Sequence, residues 1–295
     1  MKLGFVGIGN MGKPMATTLL KANHQLTIYD INPKPLEELA KLGATAKSKL
    51  SEIPPAGEVI FLSLPSHIVV EEVMLGADGL LSTLTKGQIV VDMTTSLPSV
   101  SRKIAERVKA KGADFLDASV SGGPDGAAAQ TLTFMVGGEE SVFKKVKGLL
   151  ETLGKKIFYI GPHGSGNTMK LVNNLISITN TACFIEGLVV GTKAGINPAT
   201  LFEVISSCSG NSYSFQKKAP RILDGNFKAM FSLDLEYKDL YLGTMLAEEL
   251  RAPIFLGSVA RQLFEMARAK GLGSEDNVAL VKVFEELSGV QVRKQ

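Results

Sequence analysis

The sequence predicts an α/β protein in two parts: a doubly wound parallel sheet over residues 1–162, then an all-helical domain over residues 163–295 that begins with a long helix. Three observations predict it. Short apolar runs alternate with amphipathic segments up to about residue 160, which is the pattern of βαβ units. A glycine-rich turn, Gly7 to Gly12, separates the first strand from the first helix. After Gly161-Pro162-His163-Gly164-Ser165-Gly166 the strand candidates stop.

In chain order the expected strands are Leu3–Gly7, Gln25–Asp30, Val59–Leu64, Ile89–Met93, Phe115–Ser119, Leu132–Val136 and Ile157–Ile160. The unbroken runs Val59-Ile60-Phe61-Leu62 and Ile89-Val90-Val91 suit strands buried on both faces. Helical periodicity falls between the early strands, at Met11–Ala22, Leu36–Leu42, Val69–Met74 and Val100–Lys111. From Asn167 to Ala194 there is no proline and one side is apolar, so a single long helix is expected. Further helices are expected at Pro198–Ser207, Leu233–Leu250, Ile254–Lys270 and Asn277–Leu287.

At 295 residues the chain has room for about two domains. With 45% hydrophobic and 21% charged residues it is neither disordered nor fibrous. The net charge of +3, without a basic block or a tryptophan, points to neither nucleic acid nor a membrane surface as partner. No stretch is expected to reach the ~18 apolar residues of a spanning helix. Cys183 and Cys208 read as free thiols in a reducing compartment, and a cytoplasmic location is expected. No histidine, cysteine or carboxylate cluster has metal-ligand spacing. Thirty glycines suggest backbone approaching a ligand closely at several places.

Strand Leu3–Gly7 runs into Gly7-Ile8-Gly9-Asn10-Met11-Gly12, which fits the dinucleotide fingerprint G-x-G-x-x-G. Gly7 permits the tight turn, Gly9 lets backbone approach a pyrophosphate, and Gly12 permits close helix–strand packing. The next helix would aim its N–H groups and dipole at the phosphates. Asp30, ending the second strand, stands where an acid takes the adenosine ribose hydroxyls. A carboxylate there repels a 2′-phosphate, so NAD is preferred, with NADP possible because Lys34 follows.

Four later features fit the same site. Leu64-Pro65 and Thr94-Thr95-Ser96 each follow a strand, where ligands of open α/β sheets bind; Thr95 or Ser96 would equally serve as a helix N-cap. Ser121, Gly122 and Gly123 offer a hydroxyl and bare backbone N–H groups to a carboxylate. Lys170 and Asn174, four apart, share a helix face, and the lysine is the strongest general acid/base candidate; His24, His67 and His163 have no evident orienting acid. A lysine base needs its pKa brought down, by partial burial and by a positive nicotinamide. By spacing alone, Lys238-Asp239 is a surface pair.

Together these residues resemble the 3-hydroxyacid dehydrogenase family, which includes 3-hydroxyisobutyrate dehydrogenase and tartronate semialdehyde reductase. The resemblance runs the length of the chain, through Gly7 to Gly12, Asp117 to Gly123, Gly161 to Asn174 and Lys238-Asp239-Leu240. It implies a Rossmann domain, a helical domain that forms homodimers or homotetramers, and NAD(P)-dependent interconversion of a 3-hydroxy acid and its semialdehyde. It gives Lys170 the catalytic role and Asn174 substrate positioning. It places Ser121, Gly122 and Gly123 at the substrate carboxylate, Lys238 near nicotinamide and substrate, and Thr95 at the cofactor. Two positions depart: Ser119 where the family has proline, and Gln130 where it has glycine. Within the family the sequence leans toward branched or dicarboxylic 3-hydroxy acids. The rival expectations are an imine reductase on the same scaffold and a non-catalytic dinucleotide-binding module.

Overall fold

The computed structural model describes residues 1–294. They form two compact units, Met1–Lys170 and Leu171 to the end of the described chain. Unit 1 holds strands β1 (Lys2–Val6), β2 (Gln25–Tyr29), β3 (Thr45–Ala46), β4 (Val59–Leu62), β5 (Ile89–Asp92), β6 (Asp114–Ser121), β7 (Leu132–Gly138) and β8 (Gly154–Gly161). Its helices are α1 (Gly12–Lys21), α2 (Pro33–Ala40), α3 (His67–Leu75), α4 (Pro98–Lys109), α5 (Gly123–Ala128) and α6 (Glu140–Leu153). Helix α7 (Ser165–Lys193) begins in unit 1 and continues into unit 2.

The strands make one sheet in the order β3-β2-β1-β4-β5-β6-β7-β8. Chain order reverses direction between β1 and β4, so the sheet is doubly wound about that point. Strands β4 and β5 are buried at every position, as their unbroken apolar runs require. Met15, Leu19, Phe143 and Leu150 cover one face of the sheet, and Val70, Met74, Ile104 and Val108 the other. Helices on both faces are what a two-faced apolar sheet demands.

One pairing departs from the expected parallel sheet: β6 and β7 run antiparallel. The link between them is residues 122–131, holding only the six-residue α5. A parallel return needs a crossover of about a dozen residues or more, so this chain turns back on itself. Gln130 closes that link at φ 58, in the left-handed region where a non-glycine residue costs about 1–2 kcal/mol.

Strand β3 has two residues, both exposed, and leaves no apolar run to read. Helices α5, α6 and α9 have no counterpart among the expected elements. The signal for α6 was present, since Val142, Phe143, Val146, Leu149, Leu150 and Leu153 form a buried stripe at helical spacing.

Unit 2 contains the rest of α7 with α8 (Pro198–Ser206), α9 (Tyr213–Leu223), α10 (Leu233–Glu249), α11 (Leu256–Ala269) and α12 (Val281–Ser288). Its core joins Ile178, Ile185 and Leu188 of α7 to Phe215, Ile222, Leu240 and Phe264. Inside it, the Lys218 ammonium donates to Glu236 at 2.7 Å and to the Thr181 hydroxyl at 2.9 Å. By length and composition α7 is apolar enough to cross a membrane, which corrects the expectation that no stretch would be. Asn173, Asn174, Ser177 and Asn180 interrupt its apolar sequence, and Ile178, Ala182, Ile185, Leu188 and Val189 of this helix lie in the core of unit 2.

Candidate active site

The carboxyl ends of β1, β2, β4, β5 and β6 lie along one edge of the sheet, since these strands are mutually parallel. That edge brings together Gly7 to Gly12, Asp30, Leu64-Pro65, Thr95 and Ser121 to Gly123.

At the first turn, Gly7 sits at φ 90, and a Cβ on it would lie 2.2 Å from the Ser63 carbonyl oxygen. A Cβ on Gly12 would lie 1.9 Å from the Gly7 carbonyl oxygen, so α1 packs against the turn with no room for a side chain. Gly9 is different: nothing lies within 4 Å of a Cβ built there. The turn is closed from below by Gly7 and Gly12 and open above Gly9, a cradle that fits a pyrophosphate resting on bare backbone. The Asp30 carboxylate accepts the Ile8 N–H at 2.5 Å and the Asn32 N–H at 2.7 Å, which ties the end of β2 to this turn.

The loop after β4 is fixed by the loop after β5: the Leu64 N–H donates to the Thr94 hydroxyl at 3.0 Å. The Thr94 N–H in turn donates to Asp92 Oδ1 at 3.0 Å. Thr95 is half-buried beside them. Neither Thr95 nor Ser96 caps α4: Leu97 occupies the N-cap with no side-chain hydrogen bond, and Pro98 opens the helix. Proline at that position lacks an N–H, so one of the first-turn donors is absent, and its fixed φ suits the helix start.

Asp92 is fully buried, and Asp117, its register partner on β6, is buried beside it. Burial, more than the like charge of Asp117, pushes the Asp92 carboxyl up to about 7. Raised above its unfolded value, it contributes stability that is complete below about pH 4 and lost as pH rises through 7. Asp92→Asn keeps an acceptor for Thr94 and removes the buried charge. It should raise Tm by several degrees at about pH 8, less at about pH 5, and hardly at all at or below about pH 4. Thermal melts at these pH values check this, and an effect at about pH 8 no larger than that at about pH 4 would contradict it.

Asp117 anchors the start of α7: its Oδ1 accepts the Gly164 N–H at 2.8 Å and its Oδ2 the Asn167 N–H at 2.9 Å. A Cβ on Gly166 would lie 2.4 Å from the carbonyl oxygens of both Asp117 and Met135, so the helix rests directly on the strands. Asn167 then contacts Ser119 and Ser96 through its side chain. These contacts climb β6 toward its carboxyl end, and Lys170, half-buried, follows on the next turn. Asp117, Ser119 and Ser121 alternate onto one face of β6. The ring of His163 pairs with the Phe115 carbonyl at 3.0 Å.

In unit 2, Asn174 is buried and its Nδ2 donates to Asp239 Oδ2 at 2.7 Å. The Lys238 ammonium lies 3.0 Å from Asp239 Oδ1. The expected surface pair is therefore half wrong, because Asp239 is only 3% exposed. The signal was legible: Asp239 falls in the buried stripe Glu236, Leu240 and Gly243 of α10. Sequence reasoning also gave no role to Asp92, Asp117 or Asn167.

This architecture defines a dinucleotide-dependent oxidoreductase. The model for the NAD binding domain of 6-phosphogluconate dehydrogenase matches residues 2–161. That for the NAD-binding of NADP-dependent 3-hydroxyisobutyrate dehydrogenase matches residues 164–284. The 2-(hydroxymethyl)glutarate dehydrogenase of Eubacterium barkeri is 41% identical over 99% of this chain and 97% of its own. The 2-hydroxy-3-oxopropionate reductase of Escherichia coli is 36% identical over 97% of each. The solved 3-hydroxyisobutyrate dehydrogenase of Mycobacterium tuberculosis superposes with a TM-score of 0.88, at 30% identity over 96% of this chain and 99% of that one. The chain belongs to the 3-hydroxyacid dehydrogenase family of NAD(P)-dependent oxidoreductases.

Proposed function

We propose that the protein interconverts a small 3-hydroxy acid and its semialdehyde, with Lys170 as general acid/base. What supports this reading is the docking of the start of α7 on β6 through Asp117 and Ser119, four and two residues before Ser121. In oxidation Lys170 takes the hydroxyl proton as the carbon gives up hydride; in reduction it returns that proton to the developing alkoxide. The nicotinamide, when bound, supplies the hydride acceptor or donor. Ser121 and the bare N–H groups of Gly122 and Gly123 hold the substrate carboxylate. By the family resemblance Asn174, its amide held by Asp239, is assigned to the substrate hydroxyl, and Lys238 to the substrate and nicotinamide.

Gly7, Ile8, Gly9, Asn10, Met11 and Gly12 hold the pyrophosphate, with Leu64, Pro65 and Thr95 along the nicotinamide half. Asp30 favours NAD, since its carboxylate opposes a 2′-phosphate. The names of the two relatives, a 2-(hydroxymethyl)glutarate dehydrogenase and a 2-hydroxy-3-oxopropionate reductase, support a small hydroxy acid or semialdehyde with one or two carboxylates as substrate. Lys170 and this kinship favour an alcohol–aldehyde reaction over imine reduction and over binding without turnover. The exposed Val190, Phe255 and Leu256 suit a homodimer or homotetramer built on the helical part. The free, exposed Cys183 and Cys208 suit a reducing cytoplasm.

The test is a panel containing 3-hydroxyisobutyrate, 2-(hydroxymethyl)glutarate and 2-hydroxy-3-oxopropionate, run in both directions with both cofactors. Turnover of at least one, with kcat/KM favouring NAD, is expected. Binding of cofactor without turnover across the panel would overturn the reading, and a tenfold preference for NADP would overturn the role of Asp30.

A further inference from the structure

We propose that Asn167 is the positioning residue that sets Lys170, and that Ser119, which stands where the family has proline, serves it as a second donor. The proposal rests on the reading of Lys170 as the acid/base. Asn167 is fully buried, three residues before the lysine on the first turn of α7. Its Oδ1 accepts two hydrogen bonds at 2.8 Å, from the Ser96 N–H and from the Ser119 hydroxyl. Its Nδ2 donates to the Ser101 hydroxyl at 3.0 Å, and that hydroxyl donates onward to the Leu97 carbonyl at 3.5 Å. Its backbone N–H goes to Asp117.

One side chain thus binds the lysine's helix to three separate elements: the loop holding Thr95, the start of α4, and the middle of β6. Only an amide fits all of these at once, because the site needs a double acceptor and a donor on one short planar group. Leucine would leave the Ser96 N–H unpaired in the interior, and aspartate would put an unpaired charge there. Ser119 is also completely buried, and its hydroxyl has only Asn167 Oδ1 and, at 3.4 Å, the Thr94 carbonyl as acceptors. Where the family commonly has proline, this donor would be missing. Displacing the first turn by a fraction of an ångström moves Lys170 relative to Thr95 and Ser121, and misplacement on the scale of 1 Å costs about a hundredfold in rate.

The experiment compares Asn167→Ala, Ser119→Ala, the double variant and Lys170→Ala in the full-length enzyme. Each is read by kcat, KM, cofactor Kd and the pH profile of kcat, per correctly folded active site. Asn167→Ala should lower kcat about thirtyfold or more and move the pH limb that reports the lysine, with cofactor Kd nearly unchanged. Ser119→Ala should lower kcat about threefold to fivefold, and should add nothing in the Asn167→Ala background, because the hydroxyl acts through that amide. If Asn167→Ala does not fold, Ser119→Ala alone decides, and an unchanged kcat and pH limb overturn the proposal. Additive effects of the two substitutions, or a loss that lies only in the yield of folded protein with kcat per folded active site unchanged, also overturn it. Near wild-type turnover by Lys170→Ala would instead overturn the assignment of the lysine, which keeps the two failures apart.

Discussion

Lys170→Ala is expected to lower kcat by about 10²–10⁴-fold while cofactor affinity changes less than about threefold. The magnitude follows from the role: a positioned proton acceptor is worth about that much, and no neighbour can substitute. Asp92 and Asp117 are buried, with Asp117 committed to the Gly164 and Asn167 N–H groups and Asp92 to Thr94. The His163 ring is engaged with the Phe115 carbonyl. The cofactor turn is built from Gly7 to Gly12 with Asp30 and does not depend on the lysine. Lys170→Ala should lose rate in both directions, because oxidation needs the neutral amine as base and reduction the charged ammonium as acid. Steady-state rates with a fluorescence titration of cofactor give both numbers. Retained kcat, or loss of cofactor binding with an intact fold, would remove Lys170 from the chemistry.

The second large effect separates two glycines of one motif. Gly12→Ala puts a Cβ 1.9 Å from the Gly7 carbonyl oxygen, so either the turn or α1 must move. Overpacking of this kind costs about 1–3 kcal/mol, and the apo protein should melt several degrees lower with cofactor affinity reduced at least tenfold. Gly9→Ala meets nothing within 4 Å and should leave the apo melting temperature within about 1 °C of wild type. Yet its methyl would stand where the pyrophosphate rests, so cofactor Kd should rise about a hundredfold. Melting curves with and without cofactor distinguish the two. Equal destabilisation of the apo protein by both substitutions would contradict the cradle geometry.

The sheet was legible because β4 and β5 are short unbroken apolar runs and because a strand, a glycine turn and a helix follow one another at Leu3 to Ala22. The reversal at β7 was not read, although the short link after Ser121 carried the information: strand direction depends on how far the chain must travel between strands. Candidate residues that meet a ligand through backbone or an exposed hydroxyl, such as Gly9, Ser121 and Gly122, announce themselves by residue type. Asp92, Asp117 and Asn167 do not, because their meaning comes from partners 25 to 71 positions away along the chain. Asp239 lies between these cases. Its place in the buried stripe of α10 was readable, whereas its bond to Asn174 needed the fold.

The account centres on hydride leaving the hydroxyl-bearing carbon of a 3-hydroxy acid while Lys170 takes the proton. Its most direct test uses a substrate from the panel deuterated at that carbon, with the oxidised cofactor in excess and the products weighed by mass spectrometry. The account predicts reduced cofactor carrying the deuterium and a semialdehyde product. Reduced cofactor without the label, or consumption of the acid with no cofactor reduced, would contradict it.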